Sequence, residues 1–131
     1  MNEPSKDIAD MLADKSSLAL TFGTDLFVSN LPDSPDDCVA VYDAPGDSPE
    51  QGSDIYRPGI QIQVRGASDS YSDTWSEAFN IREELDGKYN VTKNGSCYIG
   101  IFAVGEIIPL GRDRHNRPVF SMNFRLIRES A

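Results

Sequence analysis

The histidine and cysteine side chains are the residues of this sequence that could support nucleophilic or metal chemistry. The chain has one histidine, His115, and two cysteines, Cys38 and Cys97. Cysteine catalysis needs a thiol within hydrogen-bond reach of a base. We expect His115 in an exposed turn and both cysteines in strands as small buried residues, so the sequence disfavours such a pair. A disulfide or metal pair stays open, although nothing places the chain in an oxidising compartment.

Carboxylates between residues 33 and 54 form the second group that could do chemistry, as oxygen ligands for Ca²⁺ or Mg²⁺. Their spacing does not match D-x-[DN]-x-[DN]-G, and prolines interrupt it, so we predict a solvated segment with no metal or other cofactor. Any acidic protein offers carboxylate pairs, and a two-carboxylate hydrolase therefore stays open. The carboxylates are Asp33, Asp36, Asp37, Asp43, Asp47, Glu50 and Asp54.

Enzyme signatures are absent from the sequence. It contains no G-x-G-x-x-G, no Walker P-loop, no G-x-S-x-G and no H-E-x-x-H. We therefore expect a protein that is not an enzyme, with the two-carboxylate hydrolase as the open alternative.

One basic cluster stands out, formed by Arg112, Arg114, His115 and Arg117. It is short and lacks interleaved aromatic residues, which makes it a weak nucleic-acid footprint. Arginine is favoured at protein interfaces because its guanidinium forks onto carboxylates. The cluster is therefore a candidate contact with another protein, and a solvated hairpin tip is the alternative.

The charge is unevenly distributed along the 131 residues, whose net charge is -9. Residues 1–56 carry a net charge of -10 and residues 57–131 a net charge of +1. This balance argues against a sequence-independent DNA binder, which needs cations at phosphates. No apolar run is long enough to span a membrane, and the N-terminus does not resemble a signal peptide. We expect a soluble protein made inside the cell.

Hydrophobic periodicity predicts one α+β domain over residues 1–131, with a mostly antiparallel β-sheet and two α-helices packed on it. An acidic helix and loop region covers residues 1–56, and the sheet and main helix cover residues 57–131. The predicted order is α-β-β-β-α-β-β-β. The first three predicted strands cover residues 26–28, 38–42 and 59–65, and the last covers 119–128. The other two lie on either side of an Asn94-Gly95 turn. The second of them reaches residue 104 and extends irregularly over 107–110.

The two helices have predicted caps and buried faces. The first carries Ile8, Met11 and Leu12 on one side, with Asn2 or Ser5 as its cap. The second runs over residues 71–86, and Ser70 with Asp73 resembles a capping box. Its broad apolar stripe consists of Tyr71, Trp75, Ala78, Phe79, Ile81 and Leu85.

Residues 43–58 are predicted to be a long connection rich in turn residues. Loops of this length are usually functional or mobile, which makes this segment a candidate contact element. Its acidic members are Asp43, Asp47, Glu50 and Asp54.

The second half of the chain resembles a known family in the order of its segments. The strand RPGIQIQVRG at 57–66 precedes an amphipathic helix and is followed by NGSCYI at 94–99, PLGRD at 109–113 and NRPVFSMNF at 116–124. This order is similar to that of the minor capsid and tail-terminator (tail-completion) proteins of long, non-contractile-tailed bacteriophages.

The resemblance implies a virion structural protein, made in the host cytoplasm and located at the head–tail junction. Such proteins form a ring, usually of six copies, that ends tail-tube polymerisation and meets the tube protein and the head connector. DNA passes through the ring without specific binding. The alternatives are another head–tail joining protein, such as a stopper, or a small acidic binding module or hydrolase of unknown substrate.

Two hypotheses place residues in that ring. Arg112, Arg114, His115 and Arg117 would meet acidic groups of a neighbouring subunit or of the tube. Asp43, Asp47, Glu50 and Asp54 would line the lumen or rim, where negative charge repels DNA phosphates.

Overall fold

Two helices and six strands follow one another in the order that the sequence predicts, in a computed structural model that describes residues 1–48 and 54–130. A short 3-10 helix, Ser16–Leu18, follows the first helix. The elements are α1 (Pro4–Asp14), β1 (Leu26–Val28), β2 (Cys38–Asp47), β3 (Arg57–Arg65), α2 (Tyr71–Leu85), β4 (Tyr89–Lys93), β5 (Ser96–Arg112) and β6 (Pro118–Ser130).

The strands form one sheet in the order β1-β2-β3-β6-β5-β4. Every neighbouring pair is antiparallel except β1 and β2, which run parallel. The sheet confirms the predicted α+β class. Strand β3 is one of the two central strands, and its alternating Ile60, Ile62 and Val64 are all fully buried, as the period of two predicts.

Both helices pack on the same face of the sheet and share one hydrophobic core. Ile8 and Leu12 of α1 and Ile81 and Leu85 of α2 are fully buried there. Neither described helix is long and apolar enough to cross a membrane. The strand side chains in this core include Leu26, Val39, Val41, Ile60, Ile62, Val64, Tyr98, Ile101, Phe120, Met122, Phe124 and Leu126.

A buried carboxylate on α1 bonds side chains of β5 and β6, the strands at the other end of the sheet from β1 and β2. Asp7 is fully buried and accepts hydrogen bonds from the Tyr98 hydroxyl at 2.5 Å and the Asn94 amide at 2.8 Å. Arg128 Nη1 lies 3.5 Å from the same carboxylate. Burial, and then the hydrogen bond to Asp7, raises the pKa of Tyr98, so this hydroxyl stays a donor. Asn94 and Gly95, both at positive φ, form the predicted β4–β5 turn.

The predicted connection over residues 43–58 is wrong in extent. Strand β2 continues to Asp47, and β3 begins at Arg57, with Asp43 opposite Ile60 and Asp47 opposite Arg57. Pairing with β3 thus overrides the local turn residues, aided by a bulge between Ala44 and Asp47.

Gly46 makes this close approach feasible. A Cβ at that position would lie 2.1 Å from the Arg57 carbonyl oxygen. The glycine therefore serves strand pairing rather than the free turn that the sequence suggests.

The predicted helix caps are also wrong. Glu3 precedes α1 and Ser70 precedes α2, and neither makes a side-chain cap hydrogen bond. Ser5 instead donates from its N–H and its hydroxyl to Asp43 of β2, at 2.9 and 2.8 Å. The Ser70 hydroxyl donates to Asp69 at 3.3 Å.

The buried face of α2 is narrower than predicted. The core takes Thr74, Ala78, Ile81 and Leu85, whereas Tyr71 and Trp75 are half exposed. The predicted stripe was too broad because periodicity cannot say where the sheet beneath a helix ends.

Candidate interaction surfaces

The arginine-rich turn joins β5 to β6 and is exposed at its tip, as predicted for His115. Asp113 Oδ1 accepts the backbone N–H groups of His115 and Arg117, each at 3.0 Å, and so shapes the turn. Arg114 Nη2 and His115 Nε2 each lie 3.4 Å from the Asp33 carboxylate. The Arg114 side chain is 78% exposed, so this residue is available to a partner.

Arg117 differs from its neighbours because it is only 4% exposed. Its guanidinium donates to the Asp33 carbonyl at 2.6 Å, to Asp36 Oδ1 at 3.1 Å and to Asp113 Oδ2 at 2.9 Å. The hydrogen bond from Arg117 holds the pKa of Asp33 below its ordinary value. The structure therefore commits Arg117 to contacts within the chain.

A second buried arginine, which sequence reasoning missed, binds the same segment. Arg65, at the end of β3, donates to the carbonyl oxygens of Asp36 at 3.1 Å, of Pro35 at 2.8 Å and of Pro32. We call residues 29–37 the proline loop. The sequence carries no local signal for this burial, because the alternation of β3 predicts an exposed side chain at position 65, where an arginine is ordinary.

Arg112 braces the base of the turn. Its Nη1 donates to the Ser68 carbonyl at 2.8 Å and to the Asn116 carbonyl at 2.7 Å. The four residues of the predicted basic cluster thus separate into exposed Arg114 and His115, bracing Arg112 and buried Arg117.

The predicted acidic residues do not gather into one site. Asp43 accepts both hydrogen bonds from Ser5. Asp47 lies 3.9 Å from Arg125 Nη1, with both side chains largely exposed. Asp54 is exposed, and Glu50 lies outside the described residues. Across residues 1–48 and 54–130, no group of His, Cys, Asp or Glu side chains is arranged to hold a metal ion.

The cysteines are free and lie in different parts of the sheet, Cys38 in β2 and Cys97 in β5. Burial raises the pKa of the Cys38 thiol, which is the opposite of the lowering that activates a nucleophilic cysteine.

The free edge of β5 forms a surface that the sequence did not identify. Strand β4 and the two residues before it, Gly87 and Lys88, cover β5 as far as Ile101, and beyond Ile101 the described strands pair with β5 only through β6. Val104 and Ile108 lie opposite Asn123 and Ser121, on the sheet face away from the helices. Four large apolar side chains along this edge are exposed, namely Phe102, Val104, Ile108 and Leu110.

Helix α2 runs alongside this free edge. Arg112 donates to the Ser68 carbonyl before α2 begins, and Arg82 Nη2 donates to the Gly105 carbonyl at 3.1 Å near its end. The Ala103 N–H donates to Asp86 Oδ1 at 2.8 Å. We call the four exposed apolar residues of β5 the β5 patch; Tyr71 of α2 lies on the other face of the sheet, where its ring contacts core Phe120.

The chain is similar to a known protein family in sequence and to solved structures in fold. The sequence model of a family described as bacteriophage tail terminator protein matches residues 15–130. A chain from the solved structure titled "Virion of native gene transfer agent (GTA) particle" is similar in fold, with a TM-score of 0.70 at 13% identity over 97% of this chain and 95% of that chain. A second solved chain has a TM-score of 0.54 at 16% identity, over 93% of this chain and 89% of that chain. No curated protein matches the sequence.

Proposed function

The chain belongs to the bacteriophage tail terminator family, and we propose that it closes the head-proximal end of the tail tube as a ring that stops tube polymerisation and joins tail to head. Membership makes it a phage tail structural protein of the virion. The match of the family model over residues 15–130 carries the proposal. The expected ring has six copies, contacts the tube protein and the head connector, and lets DNA pass without binding it. We expect no catalytic turnover.

The exposed part of the arginine turn supports one contact of such a ring. A closed ring needs two different complementary patches on each subunit. Arg114 and His115 present positive charge and donors at the tip of the turn, and residues 1–56 carry a surplus of negative charge. We propose that Arg114 and His115 meet carboxylates of a neighbour or of the tube, with Arg112 and Arg117 holding the turn in place.

The acidic strand end supports a second contact. Asp47 and Asp54 are exposed at the β2–β3 end, and we propose that they line the lumen or its rim together with Glu50. Repulsion of phosphates there keeps DNA from adhering as it moves. Asp43 contributes less, because its carboxylate is bonded to Ser5 of α1.

A gene disruption in the parent phage tests the terminator function. Without this chain, we expect tail tubes longer than normal and heads without tails, because nothing stops polymerisation or offers the head a surface. Electron microscopy of lysates measures both, and supplying the chain in trans should restore normal length. Tails of normal length joined to heads in the disrupted phage would contradict the proposal.

A charge-reversal pair tests the turn contact. Arg114→Glu should abolish ring assembly while the protein stays folded, because the side chain is exposed and makes no buried contact. Lys15→Glu is the matched control, since it makes the same charge change at an exposed site on α1's end. Electron microscopy of tube ends and circular dichroism of the purified variants give the two readouts. Equal assembly of both variants would remove Arg114 from the interface.

A further inference from the structure

We propose that the groove between the proline loop and the arginine-rich turn binds a carboxylate-bearing, aliphatic peptide segment of another virion protein, an inference that rests on the proposed function. We call it the arginine groove. Its volume is about 470 Å³, a size typical of sites that hold a few side chains. Its aliphatic lining comes from Leu31 of the proline loop, Leu110 of β5 and Val119 of β6.

Two of the arginines that line this groove form no ion pair with the described residues. Arg65 is 3% exposed and donates only to carbonyl oxygens of the proline loop. Arg112 donates only to the carbonyl oxygens of Ser68 and Asn116. A guanidinium stays charged at neutral pH, so both side chains bring positive charge to the groove that a carboxylate can balance.

The other two arginines of the groove already have carboxylate partners. Arg117 pairs with Asp36 and Asp113, and both Arg117 and Arg114 contact Asp33. The positive charge without a partner therefore remains on the first two arginines, and it matches one or two carboxylates. A nucleic-acid strand fits less well, because each nucleotide brings a phosphate and the strand would meet Asp33 and Asp113 in the groove lining.

The two arginines without ion pairs are close together and held in place. Arg65 is the register partner of Val119, and Arg112 that of Pro118, so they lie on either side of β6 with backbones about 10 Å apart. Both hydrogen bonds of Arg112 use Nη1, and the described residues give its Nε and Nη2 no partner. This side of the guanidinium suits a carboxylate bound through both oxygens, at little cost in side-chain ordering.

The mixed lining of the groove selects a peptide segment of another protein as the occupant. Aliphatic side chains beside a guanidinium match a segment that carries an aliphatic residue next to an acidic one or next to its C-terminal carboxylate. The acidic strand end of a second copy is a poorer match, because its exposed Asp47 already lies 3.9 Å from Arg125.

Paired tripeptides test the chemistry of the groove. Acetyl-Leu-Asp-Leu-amide carries a carboxylate and aliphatic groups, acetyl-Leu-Asn-Leu-amide lacks only the charge, and inorganic phosphate lacks the aliphatic groups. In NMR titrations of the full chain, we expect the acidic peptide to shift the signals of Leu31, Arg112 and Val119. The other two probes should bind about tenfold more weakly, since a charge-assisted hydrogen bond or the aliphatic contact is lost. Equal affinity for the two peptides, or a response to phosphate alone, overturns the inference.

A pair of variants ties the binding to the groove. Leu31→Asp places a carboxylate inside the groove, where it competes with the peptide, and Asn30→Asp makes the same charge change at an exposed neighbour outside the lining. We expect Leu31→Asp to weaken binding of the acidic tripeptide about tenfold and Asn30→Asp to leave it unchanged. Circular dichroism verifies that both variants are folded. Equal affinities of the two variants would contradict the assignment of the groove.

A cross-linking experiment in assembled particles identifies the partner and separates this inference from the proposed function. The photoreactive residue p-benzoylphenylalanine replaces Leu31, or Asn30 as the control, and mass spectrometry identifies the peptide that irradiation attaches. A peptide of another virion protein with an aspartate, a glutamate or a C-terminal carboxylate supports the inference. A peptide of this chain, a peptide without a carboxylate or no product overturns it, even where the gene disruption gives overlong tubes. Normal tails in the disrupted phage overturn the proposed function and, with it, the assignment of a virion partner.

Discussion

At the scale of single residues, Arg65 and Arg117 attach the proline loop to the end of the sheet. A buried guanidinium is tolerated only when its donors are paired, and both arginines donate to carbonyl oxygens of that loop. The sequence predicted an exposed contact for Arg117 because its neighbours in the turn are polar. Its burial depends on Asp33 and Asp36, about eighty positions earlier in the chain, and no local pattern reports that contact.

Replacing Arg117 tests this assignment. Arg117→Met should lower the free energy of unfolding by about 2 kcal/mol, the typical value of hydrogen bonds to a charged group, because the Asp33 carbonyl loses its donor while the exposed carboxylates regain water. Arg114→Met is the matched control and should cost under about 0.5 kcal/mol, as exposed ion pairs do. Urea denaturation measures both variants. Equal midpoints would mean that Arg117 does not hold the loop.

Glu77 gives a prediction on pH. Burial, and then repulsion from Asp37 and Asp25, raises the pKa of this α2 carboxyl to about 7 from its ordinary 4.5. The folded state therefore keeps a proton that the unfolded state releases, and stability falls as the pH rises from about 4.5 to 7. Above about pH 7 the carboxyl is charged in both states, and the loss of folding free energy that its burial causes is complete.

Glu77→Gln should therefore stabilise the protein at pH 8, by on the order of 1–3 kcal/mol, and have little effect at pH 4. Thermal unfolding at the two pH values measures the difference. Glu83→Gln, on the exposed side of the same helix, is the control for loss of one negative charge. A gain of the same size at both pH values would show that Glu77 does not titrate near neutrality.

At the scale of elements, strong local patterns were sufficient to predict a helix, a strand or a turn. Features that depend on pairing between distant strands could not be predicted from the sequence. The alternation of β3, the periodicity of α2 and the Asn94-Gly95 turn each predicted the observed element. The end of β2 was missed because its Pro45-Gly46 pair is ordinarily a turn, and only the partner strand makes it extended. The exposed part of α2 was missed because Tyr71 and Trp75 have the same spacing as core residues.

The junction of β3 and α2 depends on Gly66. A Cβ built there would lie 1.8 Å from Thr74 Oγ1 and 3.0 Å from Thr74 Cβ. Gly66→Ala should therefore destabilise the fold by about 1–3 kcal/mol, as overpacking does.

A double-mutant cycle identifies the cause. Thr74→Ala removes the clashing hydroxyl, which otherwise donates to the Ser70 carbonyl at 2.6 Å. The double variant should lose less stability than the sum of the two single variants, because the 1.8 Å clash with Thr74 Oγ1 is present only in Gly66→Ala. Additive losses in chemical denaturation would show that the contact with Thr74 does not limit the junction.

At the scale of the whole molecule, composition predicted the division of charge but not the surfaces it creates. One core draws on residues of both parts of the chain, which supports our proposal that residues 1–131 form one domain. The family resemblance was visible in the ordered segments from residue 57 onward, and the family model confirms it. The β5 patch could not be predicted from the sequence, because the fold decides which apolar side chains of a strand are covered and which stay exposed.

The salt dependence of self-association distinguishes the arginine turn from the β5 patch as the interface between copies. Each copy carries a net charge of -9, so repulsion opposes ring closure at low ionic strength and is screened when the Debye length falls below about 10 Å. Apolar packing on the β5 patch does not weaken with salt, whereas ion pairs of Arg114 do. If the β5 patch supplies most of the interface, light scattering behind size exclusion should show the mass rising with salt, from the 14.4 kDa of one chain toward six times that value. A mass that falls with salt would instead assign the interface to the arginine turn, and Arg114→Glu should then abolish the low-salt oligomer while Ile108→Glu leaves it intact.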